Sequence, residues 1–178
     1  TFSRIKKNIL CVSDIDCNDV PYFYFYGNSK RGVNNGYSEM NPEKLQCMVQ
    51  LIVSKEKNGV PKTKLNKEMY YADFYSYKKY GRSISGLSYR AIQYGPVPEH
   101  YETVYDHVQG LIKKSIETSA DFEYDLLFCD SPDTSALSKE DISVINHVMS
   151  VLVDMKRADV VDLSHKENGW INNKDHHN

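Results

Sequence analysis

Apolar side chains recur at helical spacing in several stretches of the chain and alternate, or run together, in others. Leu45, Met48, Val49 and Ile52 share one helical face. Asn41 supplies a cap, Pro42 suits the first helical position, Glu43 stands at the positive end, and Asn58-Gly59 closes the helix. A second helix is predicted over residues 63–80. Leu65, Met69, Ala72 and Tyr75 or Ser76 trace one face, and Tyr70, Phe74 and Tyr77 trace the next. It is therefore apolar around much of its circumference and belongs at the centre, with Gly81 as its stop. A third helix is expected over residues 99–116 from the stripe Tyr101, Val104, Tyr105, Val108, Leu111 and Ile112. A fourth opens at Ser138 with Glu140 and Asp141 behind it and buries Ile142, Ile145, Val148, Met149 and Leu152. A short final helix holds Val160, Val161 and Leu163.

Strand signals are fewer. Tyr22-Phe23-Tyr24-Phe25-Tyr26 suits a pleated surface better than a helix. Residues 87–94 alternate, and residues 122–129 read as a further strand, so these two are expected to pair as a small antiparallel hairpin around the third helix. Gly95-Pro96-Val97-Pro98 reads as a rigid, extended connector. The pattern predicts a mainly α (α+β) fold of four to five helices packed with a small antiparallel sheet or hairpin. Residues 1–37 form an arm or linker with an aromatic strand, residues 38–170 the helical domain, and residues 171–178 a polar tail.

At 178 residues the chain has room for one ordinary domain with a full core. Its 40% hydrophobic and 26% charged residues exclude wholesale disorder, and its net charge of −2 excludes a histone-like binder. No apolar run is long enough to cross a membrane, and no signal peptide is present. The spacings of Cys11, Cys17, Cys47 and Cys129 match no zinc site. They read as free thiols of a protein in a reducing cytoplasm. His100 and His107 stand two helical turns apart, too far for a helix-borne metal pair, and His147 and His165 have no evident proton-transfer partner. The carboxylates at Asp125, Asp130 and Asp133 read as turn formers and those at Glu140 and Asp141 as helix-start charge. Phosphate-loop, dinucleotide, esterase and zincin motifs are absent, so neither catalytic residues nor a cofactor or metal are expected.

Charge is segregated. Residues 55–90 hold nine basic and three acidic side chains; residues 99–141 hold three basic and eleven acidic. These are either two faces that meet within the fold or a bipolar surface that selects a charged partner. The basic stretch also interleaves Lys64, Lys67, Lys78, Lys79, Arg82 and Arg90 with Tyr70, Tyr71, Tyr75, Tyr77 and Tyr80. Stacking rings beside basic charge hold single strands, so a regulatory, nucleic-acid-associated domain using the 62–90 face is the alternative function.

Three segments in this order carry a family resemblance. They are Lys64-Leu65-Asn66-Lys67-Glu68-Met69-Tyr70-Tyr71-Ala72-Asp73-Phe74, then Tyr77-Lys78-Lys79-Tyr80-Gly81-Arg82-Ser83-Ile84-Ser85-Gly86, then Tyr94-Gly95-Pro96-Val97-Pro98. With the closing Leu163-Ser164-His165-Lys166-Glu167-Asn168-Gly169-Trp170, the chain resembles the Panacea, or SocA-like, antitoxin domain over roughly residues 40–170. Glu68-Met69 departs from the apolar pair more usual there. The resemblance implies a mainly helical, non-enzymatic antitoxin of bacterial or phage operons that neutralises a cognate protein toxin by direct contact, some members acting as adaptors that deliver it to a Clp-type protease. Many longer members carry a helix-turn-helix domain in front. Residues 1–37 show none, and a chain beginning at Thr1 fits one having been removed, so DNA contact is expected only through that missing part. Candidate partner-binding residues are Tyr22, Tyr24 and Tyr26 on an edge strand, Tyr94 and Pro96 as a lip, and His165 and Trp170 near the C-terminus. Against each stands a structural role: an internal strand, a rigid connector, and a core anchor.

Overall fold

A computed structural model describes residues 39–117 and 123–171. The aromatic stretch from Tyr22 to Tyr26, Cys11, Cys17 and all of the polar tail after Ile171 lie outside them. Helix α1 spans Pro42–Lys55 and begins as its sequence requires: Asn41 accepts a bond from the Lys44 backbone N–H at 3.0 Å, with Pro42 in the first turn. The two-residue strand β1, Val60–Pro61, leads directly into helix α2, Lys62–Tyr80. Gly81 closes α2 in a left-handed conformation, φ 70°, its N–H donating to the Tyr77 carbonyl. Helix α3, Lys139–Leu152, opens on a reciprocal capping box between Ser138 and Asp141, with bonds of 3.0 and 3.1 Å. Helix α4, Arg157–Ser164, and a single helical turn α5, Asn168–Ile171, complete the helices.

The strands differ from the sequence reading in partner and in number. Residues 89–92 do pair antiparallel, but with the Gly-Pro-Val-Pro segment: β2 is Tyr89–Ile92, β3 is Gly95–Pro98, and the register runs from Tyr89↔Pro98 to Ile92↔Gly95. Both prolines sit in an edge strand, where the missing N–H costs no ladder bond. The expected third helix over residues 99–116 does not form. His100 takes φ 58°, which no continuing helix permits, and residues 99–108 make successive tight turns, with bonds such as Val104 N–H to His100 C=O at 2.9 Å and Val108 N–H to Tyr105 C=O at 3.2 Å. Such turns return a side chain inward every three or four residues. They bury Tyr105 and pack Val104 and Val108 against the core without a helix. From Ile112 the chain is extended. β4, Ile112–Glu117, pairs antiparallel with β5, Glu123–Phe128, and β5 also pairs with β1, giving the order β1-β5-β4.

The fold is thus α+β. Four longer helices pack with a three-stranded and a two-stranded antiparallel sheet, so strand content is higher than a mainly α reading expects. α2 is the hub, packing against α1, α3, α4 and both sheets. Leu65, Met69, Tyr70, Tyr71, Ala72 and Phe74 of α2 are all buried. Tyr70, Phe74 and Tyr89 form an aromatic triangle with ring centroids 4.3 to 5.6 Å apart.

Candidate partner-binding surface

Residues 64–74 of α2 are buried on every side of the helix, so its polar residues there are buried too, Lys64, Asn66, Lys67, Glu68 and Asp73, as is Ser76 one turn on. A buried polar group is costly unless bonded, and most of these are spent on fixing neighbouring segments. Asp73 accepts bonds from the Ile84 and Ser85 N–H groups, both at 2.8 Å, from Tyr89 Oη at 2.7 Å and from Ser85 Oγ. Burial raises its pKa, while those four donors pull it down. The carboxylate thereby pins the turn after α2 and the start of β2. Asn66 accepts from Tyr105 Oη at 2.7 Å and so anchors the run of turns that replaces the expected helix. Lys64 bonds Glu56 at 2.6 Å and the Val153 carbonyl at 3.0 Å. Among the described residues the carboxyl oxygens of Glu68 have no hydrogen-bond partner, and the Lys64 ammonium lies 3.7 Å away. Burial, then Glu56, holds the Glu68 carboxyl well above its ordinary range.

Lys67 reaches the opposite side. Its fully buried ammonium donates to the Pro96 carbonyl at 2.8 Å, and burial lowers its pKa to about 7. This bond ties β3 to α2 at Gly95, which has φ 94°. A Cβ there would run into Ser164 Oγ and lie 2.7 Å from Lys67 Cε, so only glycine lets hairpin, α2 and α4 come this close. From the other end, Trp170 donates its indole N–H to the Ile92 carbonyl at 2.7 Å and stacks on His165, with ring centroids 4.2 Å apart. Tyr71 Oη donates to the buried Glu167 carboxylate at 3.1 Å, holding the segment between α4 and α5 on the hub.

These supports hold out one side chain. Tyr94, in the two-residue turn between β2 and β3, is 58% exposed, the most of any large apolar residue among those described, and Ile171 on α5 is 41% exposed. α5 packs on both strands of the hairpin. The proposed lip is therefore divided: Tyr94 stands in solvent, while Pro96 is buried with its carbonyl bonded to Lys67. His165 and Trp170 are half-buried braces beneath the turn. Tyr22, Tyr24 and Tyr26 lie outside the described residues. Sequence reading missed Lys67, Asp73 and Asn66 as the groups that position this surface. The available signal was α2 itself, because polar residues interleaved in a wholly buried helix must also be buried.

The basic stretch does not form a continuous face. Lys64 and Lys67 are buried, Lys62 bonds the Glu102 carbonyl at 2.8 Å and pairs with Asp106 at 3.4 Å, and Arg82 pairs with Asp141 at 2.7 Å. The basic and acidic segments thus meet at two points, an exposed one at Lys62–Asp106 and a part-buried one at Arg82–Asp141, and Lys57, Lys78, Lys79 and Arg90 are exposed. Burial opposes ionisation of Asp141, but Lys44, Arg82 and the Ser138 N–H outweigh it and keep its pKa low. Cys47 and Cys129 are buried free thiols. Among the described residues no cluster of His, Cys, Asp or Glu is arranged to hold a metal, and no helix is long and apolar enough to cross a membrane.

The architecture defines an α+β domain built on one buried helix whose polar groups present a braced hairpin. The sequence profile described as antitoxin SocA-like, Panacea domain, matches residues 65–171, from the hub helix to the last turn. The chain belongs to that family. Searches of the curated proteins and of the solved structures each return no match.

Proposed function

We propose that this chain is a non-enzymatic antitoxin module that neutralises a cognate protein toxin by direct contact, with the β2–β3 turn as an anchor of the interface. Family membership supports a role linked to toxin and antitoxin. The single observation that supports contact at this place is Tyr94, held exposed on a hairpin fixed from both sides by Lys67 and Trp170. A rigid, exposed aromatic gives up little entropy on binding and supplies large contact area, which is how interface anchors work.

The experiment is co-expression with the protein encoded by the adjacent gene. The toxin alone arrests growth; with this chain, growth resumes and the two co-purify. Tyr94→Ala with its fold intact weakens the complex about 10- to 100-fold, the loss typical of an interface anchor. Rescue that persists in cells lacking Clp protease identifies occlusion; rescue that requires the protease identifies delivery. A non-toxic neighbour, or full affinity in the Tyr94→Ala variant, overturns the assignment.

A further inference from the structure

The β4–β5 pair is regular over six register positions, from Ile112↔Phe128 to Glu117↔Glu123. β5 is flanked on both sides, whereas β4 has β5 as its sole strand partner among the described residues. Among the described residues, the other row of β4 backbone N–H and C=O groups has no strand partner. A six-residue edge without proline is a template for another strand. Its two faces differ. Ile112, Lys114 and Ile116 stand across from Phe128, Leu126 and Tyr124. Ile112 is 43% and Tyr124 38% exposed, and the Lys114 ammonium lies 4.7 Å from the Phe128 ring centroid. Lys113, Ser115 and Glu117 share the opposite face. There Lys113 pairs with Asp125 at 2.8 Å and Ser115 Oγ donates to the same carboxylate at 2.8 Å.

β4 is basic near its start and acidic at its end. Edge lysines ordinarily repel a second strand of the same kind. In one register that repulsion reverses: when two copies of β4 run antiparallel about a two-fold axis at Ser115, Lys113 of each lies opposite Glu117 of the other. Opposite charges facing across a sheet are favourable, and a parallel arrangement would set like on like.

We infer that β4 is a self-pairing edge, through which two copies of this chain join their three-stranded sheets antiparallel about Ser115. The occupant is a second copy because the strand is its own electrostatic complement. A contact of one short strand lies below the size of a standard stable interface, so the dimer forms weakly and with concentration. It uses a different hairpin from the one that carries Tyr94, so it stands or falls independently of toxin binding.

Sedimentation of the full chain over a wide concentration range tests it. The mass rises from the monomer's 20.5 kDa toward that of a dimer. Lys113→Glu and Glu117→Lys each place like charges across the two-fold, so each variant alone stays monomeric, with circular dichroism confirming the fold. Mixed in equal amounts they restore the dimer, because every cross-strand pair is then opposite in sign. If the Lys113→Glu hairpin, now facing Asp125, fails to fold, Ser115→Cys in a Cys11→Ser/Cys17→Ser background replaces it. Opposed residues in an antiparallel pair lie within disulfide reach, so Ser115→Cys cross-links under mild oxidation while Ile112→Cys in the same background does not. A wild-type chain monomeric throughout, a mixture that stays monomeric, or equal cross-linking at both positions overturns the inference. So does a monomer whose β4 amides are protected from hydrogen exchange at every concentration, which assigns the edge to another segment of the same chain.

Discussion

At the scale of single residues, two neighbours on α2 titrate in opposite senses. Lys67 has a folded pKa near 7 against an ordinary 10.5. Between those values the unfolded chain holds a proton that the folded chain has released, so stability rises with pH across that window, by at most about 1.4 kcal/mol per unit. Lys67→Met, of similar length and uncharged, is expected to remove this rise, as seen in urea melts at pH 7, 8 and 9. Glu68 behaves in reverse: its raised pKa means the folded state keeps a proton that the unfolded state gives up above its ordinary 4.5, so stability falls as pH rises through that window. Glu68→Gln keeps the shape of the protonated acid and is expected to match wild type at pH 4 and exceed it at pH 7. Asp73 admits no such replacement. Asp73→Ala strands two buried N–H groups and two hydroxyls and is expected to cost about 3 kcal/mol or more in the same melts.

At the scale of elements, the β2–β3 hairpin depends on a close approach. Gly95→Ala forces a Cβ against Ser164 and Lys67 at a left-handed φ and is expected to lower stability by about 2–3 kcal/mol, whereas Tyr94→Ala, one residue earlier and exposed, is expected to leave the melting temperature within a degree or two. Comparing the two separates support from surface. The same elements mark what a sequence makes legible. α1 and α3 were readable to within a residue or two because their caps are local: Asn41-Pro42 and the Ser138/Asp141 box need nothing from the rest of the chain. The hub helix was readable because no other element carries apolar residues on two adjoining faces. Residues 99–116 were misread because consecutive turns and an α-helix share the spacing of three to four, and the left-handed His100 leaves no mark in the pattern. Strand partners were misassigned for a related reason. Alternation shows that residues 89–92 are extended, but the choice of Gly95–Pro98 as partner is made by Lys67 and Trp170, which lie 29 and 78 residues from the atoms they bond. Tyr94 was legible as an aromatic beside a Gly-Pro break; its bracing was not.

For the whole molecule, the segregated charges bear on the two functions that the sequence left open. A nucleic-acid face needs cations that remain in water to displace counterions from phosphates. Here Lys64 and Lys67 are inside the core, and Lys62 and Arg82 are committed to Asp106 and Asp141, so the segment with nine basic residues presents a broken surface. Tyr70 and Tyr71, which would have served as stacking platforms, are core residues. The described domain is accordingly expected to bind single- or double-stranded DNA and RNA no better than a non-specific surface does, on the order of 100 μM at physiological salt. Fluorescence anisotropy with labelled oligonucleotides, repeated from low to physiological salt, measures this directly. A dissociation constant tighter than about 1 μM with a steep salt slope, lost in Lys78→Glu/Lys79→Glu, would return the function to the basic face, since it would mean that the exposed cations of a broken surface suffice. Weak binding, with little change in that double variant, leaves the hairpin turn as the feature through which the domain meets a partner. It also gives the charge segregation a structural cause: the basic and acidic segments hold each other across the fold.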